Sequence, residues 1–155
     1  MGLIVVGVDH SAGAEAALRF ALEEARLRRA TLRVVHAWQF GYIGATGLEG
    51  ALPAVGGEVD DVRRAAGAEL EAIVAEAAAG ADGVEIEKRI DQGTPAAVLI
   101  DESRHADLLV VGSRGHGGFA SLLLGSVSQQ CAQHAACPVV IVRDRGHKRA
   151  EVEAQ

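Results

Sequence analysis

Apolar positions in this chain switch back and forth between two spacings. Gly2 to Val8 is a continuous apolar run ending at Asp9-His10-Ser11, as a strand buried on both faces and its exit turn would be. Ala14, Ala17, Leu18, Ala21 and Ala25 then recur at helical spacing, and Ser11 is placed to cap that helix. Thr31 to Trp38 is a second strand centred on Val34-Val35. Glu58 to Ala79 restores the helical period through Val59, Val62, Ala66, Ile73 and Ala77, with Gly80 as a stop. The alternation Val84-Glu85-Ile86-Glu87 opens a strand over Val84 to Ile90 with one wet face, which predicts a sheet edge. Thr94-Pro95 is a cap followed by a first-turn proline, for a helix reaching about His105. Leu108-Leu109-Val110-Val111 is a fourth strand. A helix follows from about Ser126 to Ala135, and Pro138 to Arg143 is a last strand that begins on proline.

Strands alternating with helices predict an α/β fold, with a mainly parallel sheet, helices on both faces and right-handed crossovers. One stretch fits no period. Gln39 to Gly57 holds six glycines and Pro53, and its length marks a functional or disordered loop. Asp144 to Gln155 is charged and aperiodic, and reads as a mobile tail.

Composition narrows the class. The 155 residues are 49% hydrophobic, with only one Trp, one Tyr and three Phe, so Ala-rich helices on a Val/Ile/Leu sheet account for the core. That length suits a single domain over residues 1–143, burying roughly 70% of its unfolded surface. The formal charge of −6 argues against nucleic acid as an electrostatic partner. No apolar run is long enough to span a membrane, and the first is too short for a secretory signal. Two cysteines form no disulfide framework, and the expected location is the cytoplasm.

Ligands in parallel sheets sit at the carboxyl ends of strands, where the strand order reverses. Two strand ends here carry chemistry: Asp9 after the first and Gly112 after the fourth. They share one crevice if those strands are neighbours, which periodicity does not decide. Gly112-Ser113-Arg114-Gly115 is followed by nine residues and then Gly125-Ser126. The glycines allow tight turning and close approach of a ligand. At Gly125-Ser126 a helix begins, so its free N–H groups and dipole would meet an anion. The bland alternative is a strand-to-helix turn that merely needs glycines. Arg114 and His116 could pair with phosphates or stand as solvated loop side chains. His36 and His134 read as structural, and Trp38 and Phe40 as packing. Cys131 and Cys137 read as buried small residues without metal spacing. There is no P-loop, because Gly125-Ser126 lacks the preceding lysine. No paired carboxylates or nucleophile–base pair stands out, so no catalytic residue is assigned and an enzyme is not expected.

These residues resemble the universal stress protein family over nearly the whole chain. Val6-Gly7-Val8-Asp9-His10-Ser11 is similar to its opening strand and turn, and Val34-Val35-His36-Ala37 to its second strand. Gly93-Thr94-Pro95, Asp107 to Gly112 and Cys137 to Val142 also fit. Its most specific pattern, Gly-x2-Gly-x9-Gly-(Ser/Thr), is matched by Gly112, Gly115, Gly125 and Ser126. The resemblance implies a three-layer α/β/α sandwich with a five-stranded parallel sheet in the order 3-2-1-4-5. That fold is Rossmann-like and similar to the adenine nucleotide alpha hydrolases. It also implies the ATP-binding subgroup, with ATP and Mg²⁺ as cofactors. Asp9 would lie beside the adenosine, and Ala37 would line the adenine pocket partly through its backbone. Gly112 and Gly115 would run along ribose and phosphates, flanked by Arg114 and His116. Gly125, Ser126 and Val127 would carry the phosphates, with Mg²⁺ near Asp9 or Ser126. Gln39 to Gly57 would be a flap over the nucleotide, and Pro138 to Arg143 the edge of a homodimer. The implied role is a nucleotide-responsive stress-survival or signalling module acting on a further protein partner. A slow metal-dependent ATPase or nucleotide-transfer enzyme, a nucleotide-free dimeric module and a cyclic-nucleotide binder are the alternatives.

Overall fold

The structure, a computed structural model, describes residues 2–9, 11–39, 56–79, 81–113 and 124–144. Along the chain these form β1 (Leu3–Gly7), α1 (Ala12–Arg28), β2 (Thr31–Trp38), α2 (Gly56–Ala78) and β3 (Ile86–Gln92). They continue with α3 (Pro95–Glu102), β4 (Leu108–Gly112), α4 (Ser126–His134) and β5 (Val139–Val142). All strand pairs are parallel, in the order β3-β2-β1-β4-β5. The order the family resemblance implies is thus the one observed, and β1 and β4 are neighbours at the reversal.

The pleat explains the layers, since successive side chains in a strand point to opposite faces. Ile4, Val6, Leu32, Val34, Leu108 and Val110 pack against Ala17, Leu18, Ala21 and Ala25 of α1 and Leu70 and Val74 of α2. On the other face, Val5, Val35, Leu109 and Val111 pack with Val98 and Leu99 of α3 and Cys131 of α4. Alanine on the inner stripe of α1 lets that helix lie close to the sheet centre. Burial pushes the Cys131 thiol up to about 11, with Cys137 adding to the effect.

Local signals held where they were strongest. Ser11 caps α1 by accepting the Ala14 N–H at 3.1 Å, and Thr94 caps α3 by accepting the Ala97 N–H at 3.2 Å, with Pro95 following. The strand expected over Val84 to Ile90 instead runs from Ile86, because pairing with β2 continues as far as Trp38 with Gln92. It is the predicted edge, and Glu87, Lys88 and Arg89 are exposed. Helix α2 begins at Gly56, inside the stretch expected to be loop. Helix α3 stops at Glu102 rather than near His105, and the Ser103 hydroxyl donates to the Ile100 carbonyl at that end. The rest of the expected flap (residues 40–55), Gly80, and residues 145–155 of the expected tail lie outside the described residues.

One buried charge needed a non-local explanation. Glu102 is only 6% exposed, yet Arg33 of β2 donates to it at 2.8 Å and Arg89 of β3 at 3.0 Å. Two strands therefore supply the partners that let a carboxylate leave water. The bond to Glu102 holds the Arg33 guanidinium above its ordinary value.

Candidate functional site

At the carboxyl ends of β1, β2 and β4 lies an open cleft of about 570 Å³, solvent included. Asp9, Ala37, Gly112 and Val127 all line it. They are separated widely in sequence and meet because the strand order reverses between β1 and β4. Val8, Val35, Pro95, Leu99 and Val111 supply an apolar floor and walls. Gly125 and Ser126 begin the helix whose next residue, Val127, reaches the cleft. Arg114, Gly115 and His116, and also His10, lie outside the described residues.

Each part is held from below. A Cβ on Gly112 would stand 2.8 Å from both the carbonyl carbon and the oxygen of Gly13. So Gly112 is needed for the start of α1 to pack on the end of β4, whatever it does for a ligand. The Asp9 carboxylate accepts the Ser11 N–H at 2.7 Å, which shapes the turn out of β1 and leaves Asp9 at the cleft wall. One geometry thus makes Asp9 part of both the turn out of β1 and the cleft wall, while Ser11 alone caps α1.

The motif's far end is clamped to its near end. Gly125 N–H donates to the Ser113 carbonyl at 2.6 Å. The buried Ser128 hydroxyl lies 3.0 Å from that same carbonyl and 2.9 Å from the Gly125 carbonyl, sharing its proton between them. Helix α4 therefore starts in a fixed place beside the exit of β4. Its cap, Gly125, has extended backbone (φ −73, ψ 168) and offers no side-chain hydrogen bond to the first turn. The first-turn amides of α1 and α3 have such a bond; those of α4 do not, and no acidic residue occupies its first turn.

The second feature is a ladder that stops early. Within a strand, a residue's N–H and C=O point to the same side, and the side alternates. Thr31 and Val35 turn toward β1: Thr31 N–H donates to the Gly2 carbonyl at 3.0 Å, and Val35 C=O accepts from Val8 N–H at 2.9 Å. Leu32 and Trp38 turn toward β3, pairing with Glu85 and Gly93 at 2.9 Å. Ala37 consequently aims both groups toward β1, but that strand has ended at Gly7, paired with Val35. Among the described residues, no backbone group pairs with Ala37 on that side. Among the described residues, the Ala37 N–H and C=O are thus both without a backbone partner at the cleft wall.

Sequence reasoning missed His36, which lines the cleft, and the clamp formed by Ser113 and Ser128. A polar side chain interrupting the apolar run Val34-Val35 was the available signal for His36. For Ser128 it was a serine in the first turn of a helix whose cap is glycine. Among the described residues no group of three His, Cys, Asp or Glu could hold a metal ion, and no helix is long and apolar enough to cross a membrane.

Comparison with known proteins agrees with this architecture. The model of the universal stress protein family matches residues 1–143. A universal stress protein of Mycobacterium tuberculosis is 37% identical over 143 residues, covering 91% of this chain and 47% of the relative. The chain spans about half the length of the first curated relatives it matches, 46% and 47% in two cases. A solved universal stress protein from Archaeoglobus fulgidus in complex with dAMP is 29% identical with a TM-score of 0.63, covering 91% of this chain and 97% of the other. A universal stress protein solved in complex with cAMP is 28% identical with a TM-score of 0.64, covering 92% and 96%.

Proposed function

This chain belongs to the universal stress protein family, and we propose that it binds an adenine nucleotide, ATP foremost, in the cleft between β1 and β4. The observation that carries the reading is the Ala37 donor and acceptor, unmatched among the described residues, in one cleft with a helix start that has no side-chain cap. The Watson–Crick edge of adenine presents an amino donor beside a ring-nitrogen acceptor, the complement of the Ala37 C=O and N–H. Apolar Val35, Leu99 and Val111 suit the faces of a base. The start of α4 suits phosphate oxygens, through free amides and the helix dipole. The relatives holding dAMP and cAMP support the same ligand class.

Asp9 is a poor neighbour for bare phosphates, because like charges repel. It belongs on ribose hydroxyls, or on a Mg²⁺ that arrives with the phosphates and is completed by Asp9 or the Ser126 hydroxyl. Such a metal supplies charge neutralisation at the phosphates. In this reading the chain holds its nucleotide without turning it over, and acts in the cytoplasm as a nucleotide-responsive stress or signalling module. The half-exposed apolar edge Val139–Val142 suits pairing with a second copy.

A cyclic nucleotide is the second reading, favoured by the relative solved with cAMP. Native mass spectrometry of gently purified chain, followed by calorimetry with ATP, AMP and cAMP on stripped protein, tests all of this. A dimer carrying adenine nucleotide, with ATP bound tightest, is expected. Tighter cAMP binding would replace ATP, absence of heat with all three would overturn the site, and a monomer at micromolar concentration would overturn the pairing.

A further inference from the structure

A ladder between β1 and β2 that continued one more step would join the Ala37 N–H to the Val8 carbonyl, because the preceding step already joins Val8 N–H to Val35 C=O. That step is not made. The Val8 carbonyl lies 3.0 Å from Nδ1 of the His36 imidazole instead. A carbonyl can only accept, so Nδ1 carries the proton and donates it. The opposite nitrogen, Nε2, lies 3.4 Å from the Glu69 carboxylate of α2. The imidazole thus satisfies one lone pair of that carbonyl, and the neighbouring Ala37 amide makes no bond to the other.

We propose that His36 is a positioning residue for base recognition: by satisfying the Val8 carbonyl it keeps the Ala37 amide available to the ligand. This rests on the nucleotide reading above. Its consequence is selectivity rather than general affinity. Adenine offers an acceptor at N1 and a donor at N6, matching a free Ala37 N–H and C=O. Hypoxanthine carries a proton at N1 and an oxygen at C6, so it reverses both and should be rejected. If the Ala37 amide turned to Val8, the site would lose the donor that tells the two bases apart. Phosphate contacts at α4 would be untouched.

The test measures ATP and ITP affinity by calorimetry on the full chain and three variants. His36→Asn places an amide donor near the position of Nδ1 and should keep the wild-type preference for ATP within about twofold. His36→Leu removes the donor and should cut that preference about tenfold, the loss of one hydrogen bond's discrimination. His36→Gln puts its amide where Nε2 lay and should behave like His36→Leu while staying polar. It serves where the leucine variant fails to fold. Amide exchange by NMR gives a ligand-free check: the Ala37 amide should exchange fast in wild type and in His36→Asn, and about tenfold slower in His36→Gln. An ATP preference unchanged in both the leucine and glutamine variants, or equal Ala37 exchange throughout, overturns the role of His36 and leaves nucleotide binding standing. Wild-type chain that binds neither nucleotide overturns the nucleotide reading itself, and with it this role.

Discussion

The two ends of the same sheet are finished in opposite ways. At the amino end, loose groups are stitched by side chains. Asp107 accepts the Leu3 N–H at 2.8 Å, and Thr31 donates its hydroxyl to Glu85. Ser103, 1% exposed, donates to the Ile100 carbonyl and accepts the Ala136 N–H at 2.8 Å, tying the ends of α3 and α4 together. At the carboxyl end, Ala37 keeps a donor and an acceptor unmatched among the described residues, and α4 begins on a glycine that caps nothing. The difference teaches where free energy was left unspent. Unsatisfied backbone is costly unless water or a ligand meets it, so an end that retains it is organised around an incoming partner.

That contrast can be broken from either side. The largest effect on the fold is expected at the closed end. Ser103→Ala removes two hydrogen bonds from a buried residue, one to the Ile100 carbonyl and one from the Ala136 N–H, and should cost about 2 kcal/mol of stability in urea unfolding while ATP affinity stays the same. A parallel loss of affinity would show that the two ends are not independent. Next comes the open end. Gly125→Asp gives α4 its own carboxylate at the cap, where extended backbone accepts any residue. It should lower ATP affinity about tenfold by calorimetry, with unfolding stability altered by less than about 0.5 kcal/mol. Undiminished affinity would take the phosphates away from α4. The smallest effect vanishes at neutral pH. Cys131 stays protonated in the folded chain up to about 11, above its usual value of 9.0. Between those limits the unfolded chain releases the proton and the folded chain keeps it, so the contribution is whole below pH 9 and is lost as pH rises toward 11. Urea unfolding across that window should show a steeper decline for wild type than for Cys131→Ala, and equal slopes would remove this account.

Much of the fold was legible because its signals are local. Ser11, and Thr94 with Pro95, announce helix starts within a few residues of themselves, and continuous runs such as Leu108 to Val111 declare a doubly covered strand. Asp9, Ala37, Gly112 and Val127 could be named for the site, and they do meet in one cleft. Bringing Asp9 and Gly112 together required a strand order that apolar spacing does not encode and the family resemblance did. What could not be read was pairing at a distance. Glu102 looks like a surface helix residue until Arg33 and Arg89 are seen around it. His36 looks like a structural interruption in a strand. That it faces the cleft and takes the Val8 carbonyl depends on where β1 happens to end. Periodicity also misplaced β3 by two residues at its start, since charges such as Lys88 and Arg89 are tolerated on an edge and blur its limits.

The neighbouring positions of β1 and β4 have a consequence during synthesis. Their junction joins residues 104 apart in the chain, as Leu3 and Asp107 show. The strands β3-β2-β1 come from the first part of the chain, and β4-β5 from what emerges later. A growing polypeptide therefore carries half a cleft until β4 and β5 are out and docked, a long-range closure of the kind that slows folding. Any molecule lodged across that seam grips both parts at once and favours the closed form by mass action. Occupancy of the cleft is then also a certificate that the two parts have met.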